Sequence, residues 1–225
     1  MQEFSGRTFV MRVDGHEPFE SRATFADDLA FLAQHGVRPI LVAPTADAAR
    51  SFVRLLNRRA GFAVGLSGAD AAFLPAAGTE RVGTVDPRIL ATLVDAGYVP
   101  VIEPTALDLR GDEIDMNADA VTTAVAVATG AARVIFFHRA GGVIDPTSAA
   151  LIAELTPSEA LDLADRPEFD FALRGAMRAA AQGVRAGVPA AQIIDGRVHH
   201  ATIVELLTMH HLGTQVTGGV VIAKA

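Results

Sequence analysis

The sequence predicts an α/β protein: a three-layer αβα sandwich around a mostly parallel central sheet. Two observations carry this. Short apolar runs, among them Pro39–Val42, Val99–Ile102 and Val134–Phe137, alternate along the chain with longer segments whose apolar residues recur at helical spacing. The runs are continuously apolar, the pattern of strands covered on both faces, and parallel sheets sit between helical layers for that reason. With 225 residues, half of them apolar, there is material for a single domain with a sizeable core. It reads as an N-terminal lobe over about 1–105 and a C-terminal lobe over about 106–225.

In chain order, Arg7–Val13 is the first strand and Asp14-Gly15-His16 its turn. Phe25, Leu29 and Leu32 mark a helix over Phe25–His35 that Gly36 stops. After the Pro39–Val42 strand, Thr45 or Asp47 caps a helix to about Arg59 with its core face at Phe52, Leu55 and Leu56. Its Arg50, Arg54, Arg58 and Arg59 read as a solvated or interface face. Ala63–Leu66 is a strand, Ser67–Asp70 a turn, and 71–85 an irregular or ribbon-like segment. Asp86 and Pro87 open a helix to Ala96 that Gly97 ends. Val99–Ile102 is the next strand, and Leu109–Ile114 a hairpin around Arg110-Gly111-Asp112.

Asn117 is an N-cap with Asp119 in the first turn, where the helix dipole favours a carboxylate. The alanine-rich helix that follows ends at Gly130, and Val134–Phe137 is a buried strand that should lie beside Val99–Ile102 or nearly so. Thr156-Pro157-Ser158-Glu159 is a capping box with proline in the first turn. Phe169–Ala186 is a long helix, Gln192–Ile194 a strand, Ala201–His211 a helix and Gln215–Ile222 a last strand.

The formal charge is −7, from 19 basic and 26 acidic residues, without a basic run. Nucleic acid and anionic membrane reward clustered Lys and Arg, so neither is expected as a partner. No segment is long and apolar enough to span a bilayer, and the N-terminus lacks a secretory pattern, so a cytoplasmic protein is expected. The absence of cysteine excludes a disulfide framework and thiolate chemistry. His199-His200 and His210-His211 are adjacent pairs whose side chains point apart, so no metal site is expected.

Several fragments together carry a resemblance: Val64–Asp70, Asp95–Ile102, Asn117-Ala118-Asp119, Gly141–Pro146, Glu154-Leu155-Thr156 and Ile193–Val198. In order and spacing, from about Val53 to Thr214, the chain resembles the amino acid kinase family and within it the acetylglutamate kinases. The resemblance implies that family's fold and, if the site is retained, an ATP-dependent phosphotransferase acting on a carboxylate. ATP with Mg²⁺ would then be the cofactor, and otherwise there would be none.

Phosphoryl transfer needs fixed cations and backbone amides around the moving group. The chain departs from the family at those positions. Arg12 stands where the family has its first lysine, and Asp14-Gly15 where it has a glycine pair. Ala43-Pro44-Thr45-Ala46 replaces a second glycine-rich turn, and the segment that covers the amino acid substrate is missing. The second lysine falls at Ala176, flanked by Arg174 and Arg178, and the only lysine in the chain is Lys224. The resemblance therefore makes Asp119 and Arg12 the candidate catalytic pair and Gly15, His138, Arg139, Arg174 and Arg178 the candidate nucleotide contacts. Asp115 and Asn117 are the candidate substrate contacts. Asn117 and Asp119 read equally well as a cap and a first-turn acid, and His138-Arg139 as a surface loop.

Two functional readings follow. One is a non-catalytic pseudokinase that binds a small molecule or nucleotide and acts as a regulatory or assembly subunit. The other is an atypical carboxylate kinase using arginines in place of the lysines. A homo-oligomer or a place in a larger assembly is expected, with a symmetric dimer through the Phe52, Leu55 and Leu56 face.

Overall fold

The computed structural model describes residues 4–13, 19–79, 81–207 and 212–218. Eight strands form one sheet: β1 (Thr8–Arg12), β2 (Arg38–Val42), β3 (Ala63–Leu66), β4 (Val99–Ile102), β7 (Arg133–Phe137), β8 (Glu154–Leu155), β9 (Ala190–Ile194) and β10 (Gly213–Thr217). Their order is β3-β4-β2-β1-β7-β9-β10-β8. Strands β3 through β9 run parallel, β10 is antiparallel to β9, and β8 is parallel to β10. Two strands, β2 and β1, separate β4 from β7, so those two are further apart than the sequence reading placed them.

Successive strand residues face opposite sides, and the sheet sorts its side chains accordingly. Val10, Ile40, Ile102, Val134, Phe136 and Ile193 point to one face. There they meet α3 (Arg88–Asp95), α4 (Ala118–Ala128), α5 (Pro157–Ala164) and α6 (Phe171–Arg185), through residues such as Leu90, Val125, Ala160 and Met177. Phe9, Met11, Leu41, Val101, Ile135 and Phe137 point to the other. There they meet α1 (Phe19–Gln34), α2 (Ala46–Ala60) and α7 (Ala201–Leu207), through Leu29, Phe52, Leu56 and Leu206. This is the expected three-layer αβα sandwich.

Local chemistry sets the element ends. Thr45 caps α2 by accepting from the Ala48 amide at 3.2 Å. Asn117 caps α4 through Oδ1, which accepts from the amides of Asp119 and Ala120. Thr156 and Glu159 form the reciprocal capping box of α5. Asp86 accepts from the Arg88 amide at 3.1 Å at the start of α3. The hairpin is present, but its strands are β5 (Thr105–Leu107) and β6 (Glu113–Asp115), and Leu109 sits fully exposed in the loop. Helix α1 starts at Phe19, ahead of the apolar stripe, and α6 starts at Phe171 because Asp170 caps it, accepting from Leu173 N at 2.9 Å. Of the residues expected at a dimer face, Phe52 and Leu56 are buried in the chain's own core and Leu55 is half-buried against it.

Candidate functional site

The carboxyl ends of β1, β7 and β9 converge with the amino-terminal ends of α4 and α6, the usual location of a ligand crevice in an open α/β sheet. Arg12 is the last residue of β1. Its Nε lies 2.8 Å from Asp119 Oδ1 in the first turn of α4, with the two side chains only 15% and 12% exposed. Asp119 also presses on α6: a Cβ at Gly175 would stand 2.9 Å from its Oδ2. A glycine there lets the carboxylate lie between the two helices.

His138 follows β7 and is 3% exposed, so it is not part of a surface loop. Its Nδ1 accepts from the Ala140 amide at 3.0 Å, which places a proton on Nε2, 3.6 Å from Asp170 Oδ1. Arg139 is exposed, and its carbonyl accepts from Arg197 Nη2 at 2.7 Å. Arg197 is itself paired with Asp195 at 2.7 Å. Burial pushes the Asp195 carboxyl up, but hydrogen bonds from the Arg197 side chain and amide outweigh it and hold the group below its usual range. The Asp195–Arg197 pair thus ties the loop after β9 to the loop after β7. Thr214 fixes the other side, accepting from Val143 N and donating to the Ile152 carbonyl, each at 2.7 Å.

The candidate cations have different fates. Arg178 turns away from Asp119: its Nη2 donates to the Ala164 carbonyl and to Asp165, capping the end of α5. Ala176, in the second-lysine position, is buried. Arg174 lies with its guanidinium 5.9 Å from the ring centre of exposed Phe171, and its buried Nε has no hydrogen-bond partner among the described residues. Asp115 and Asn117 are both exposed on the approach to α4. Gly15, Asp14, His16, Lys224 and the His210-His211 pair fall outside the described residues.

The half of the sheet carrying β2, β3 and β4 ends in acids. Burial raises the pKa of Glu103, just after β4; Arg50 partly offsets this, and Glu113, Asp70 and Asp47 push it further up. Arg50, the cation in this group, is shared between Asp47 at 2.8 Å and Glu103 at 3.4 Å. Asp70 also holds its own turn, accepting from Ser67 N at 2.7 Å. At β2's end the Ala43 amide is used inside the sheet, donating to the Ile102 carbonyl at 3.0 Å.

Asp170, Gly175 and Thr214 are not among the site residues that the sequence predicts. Asp170 was accessible, because an aspartate three residues ahead of Leu173 in a long helical stripe is a cap signal. The other two depend on tertiary neighbours.

Comparison with known proteins agrees with this geometry. A profile of the amino acid kinase family matches residues 43–195. This chain belongs to the amino acid kinase family. An acetylglutamate kinase of Thermosynechococcus vestitus is 30% identical over 269 aligned positions that take in 97% of this chain and 90% of the relative. Because 269 positions exceed the 225 residues available, dozens of them have no counterpart in this chain. An acetylglutamate kinase of Corynebacterium jeikeium is 36% identical over 183 positions, 74% of this chain and 57% of the relative. The chain is therefore an acetylglutamate-kinase-like member of the family. An N-acetylglutamate synthase from Neisseria gonorrhoeae, complexed with coenzyme A and N-acetyl-glutamate, superposes with a TM-score of 0.83 at 19% identity. That match covers 97% of this chain but only 61% of the synthase chain, and at such identity it speaks to the fold alone.

Proposed function

We infer that this protein is a non-catalytic member of its family, a ligand-binding or regulatory subunit that has lost the means to transfer a phosphoryl group. One observation carries the reading: two of the candidate cations, Arg12 and Arg178, are engaged by acceptors of the chain itself, and no lysine stands in the second-lysine position. Arg12 is neutralised by Asp119, Arg178 is drawn to the end of α5, and the second-lysine position is a buried alanine. Positioned charge is usually the largest catalytic contribution, so this donor set does not fit ATP with Mg²⁺ in a reacting geometry. The acidic rim of Glu103, Glu113, Asp70 and Asp47 is similarly unsuited to a dicarboxylate substrate such as acetylglutamate.

The rival reading, a slow carboxylate kinase built on arginines, is favoured by one feature. Arg174 keeps an unsatisfied Nε two residues from Ala176, where a cation could meet a phosphate. A thermal-shift panel separates the two. Ligands that bind only the folded state raise its apparent stability. The panel contains ATP, ADP, GTP, acetylglutamate and arginine, with and without Mg²⁺. The non-catalytic reading expects no Mg²⁺-dependent ATP shift that grows when acetylglutamate is added. A Mg²⁺-dependent shift that acetylglutamate increases more than additively would mark a productive ternary complex and overturn it.

A further inference from the structure

At the opposite end of the sheet from the cleft, where β1, β7 and β9 begin and α4 and α6 finish, lies a cavity of about 420 Å³. That volume falls within the range of small-molecule sites. Among the described residues its charged lining is Arg7 and Arg133, with no carboxylate, in a chain whose net charge is −7. Neither arginine forms an ion pair among the described residues. Arg133 is pre-positioned: its guanidinium lies 5.8 Å from the ring centre of Phe4, and Phe4 packs edge-on to buried Phe9 at 5.5 Å. The other side chains of the wall are apolar, Val127, Val188 and Pro189 among them.

Two helix carboxyl ends also face this region, and each carries roughly half a negative charge. Their last carbonyls are largely taken. Gly130 and Ala131 amides donate to Val127 and Ala126, and Gly187 and Val188 amides donate to Val184 and Gly183. Two full guanidinium charges outweigh what is left. Planar guanidinium groups match oxyanions with paired hydrogen bonds, and the apolar wall suits a hydrocarbon body.

We propose that this cavity is a second ligand site, which takes a small oxyanion with an apolar body: a short-chain carboxylate or a phosphate monoester. The site is independent of the cleft and of the reading given to it. Helices α4 and α6 join the two places, since each ends at the cavity and begins beside Asp119 or Asp170.

The test is a titration of the ¹⁵N-labelled full chain with butyrate and with butyl phosphate, using n-butanol as the uncharged control. Saturable amide shifts are expected at Val127–Arg133 and Gly187–Ala190, with millimolar dissociation constants. Whichever probe binds more tightly identifies the preferred head group. Arg133→Gln and Arg7→Gln should each weaken binding by about tenfold, the scale of one lost charge-assisted contact. Val127→Glu, a change at an exposed position, should abolish it. Arg7 is exposed, so its variant keeps the fold and the comparison remains decisive. Shifts that fail to saturate, that centre on Asp119 and His138, that n-butanol reproduces, or that persist in all three variants would overturn the proposal.

Discussion

The Arg12–Asp119 pair should behave as a brace of the folded state, and its strength can be worked from the structure. At 2.8 Å the attraction between unit charges is about 6 kcal/mol with an effective dielectric constant of roughly 20. Desolvation cancels much of this when the pair forms, but removing one partner leaves the other's charge less well compensated in a nearly closed site. Such removals cost about 3–5 kcal/mol for fully buried pairs. The side chains retain 15% and 12% exposure, which brings the expectation for Asp119→Asn to about 2–3 kcal/mol. In a domain of this size that is a fall in Tm of roughly 4–12 °C. Urea unfolding of Arg12→Met, Asp119→Asn and the double variant gives the coupling directly, expected at about 1.5 kcal/mol or more. Single variants that cost less than about 0.5 kcal/mol each and add in the double would refute the brace.

Three further outcomes are expected. Gly213→Ala would put a Cβ 2.0 Å from the Ile193 carbonyl oxygen, a backbone atom that cannot step aside, so it should destabilise by about 3 kcal/mol and loosen β10 in hydrogen exchange. Glu205 is 5% exposed and bonds Gln192 Nε2 at 2.6 Å and Leu212 N at 2.7 Å; Glu205→Ala leaves both donors unmet and should cost about 2–4 kcal/mol by chemical denaturation. Burial raises the Asp28 carboxyl above its usual 3.8 despite the pull of His200 and His199. A raised carboxyl contributes stability below the unfolded value that is lost as pH rises through the folded one, so wild type should lose stability relative to Asp28→Asn as pH climbs from 3.8 towards neutrality. Urea midpoints that diverge in the opposite direction would contradict the burial argument.

Much of the fold was legible because its signals are local. The caps at Thr45, Asn117 and Thr156 need only a side-chain oxygen and a free amide two or three residues on, and each is present as read. The buried strands announce themselves by unbroken apolar runs. The start of helix α1, Phe19–Thr24, shows no apolar period and so gives no helical signal, and Leu109 looks like a strand residue yet sits in the hairpin loop. Strand order was not legible, since no local feature says that β1 and β2 come between β4 and β7. In the cleft, the identity of Asp119 and Arg12 could be read, but not their contact, nor that Arg178 would turn to Asp165. The buried acids Asp28 and Glu205 left no trace in sequence, because their partners lie on other elements.

The central claim is that the cleft no longer transfers a phosphoryl group. The most direct measurement incubates the purified protein with ATP, Mg²⁺, acetylglutamate and hydroxylamine, which traps an acyl phosphate as a coloured hydroxamate. No product above the no-enzyme background is expected, and Asp119→Asn and Arg12→Ala should leave the signal unchanged. Hydroxamate formation well above background that either substitution abolishes would contradict it.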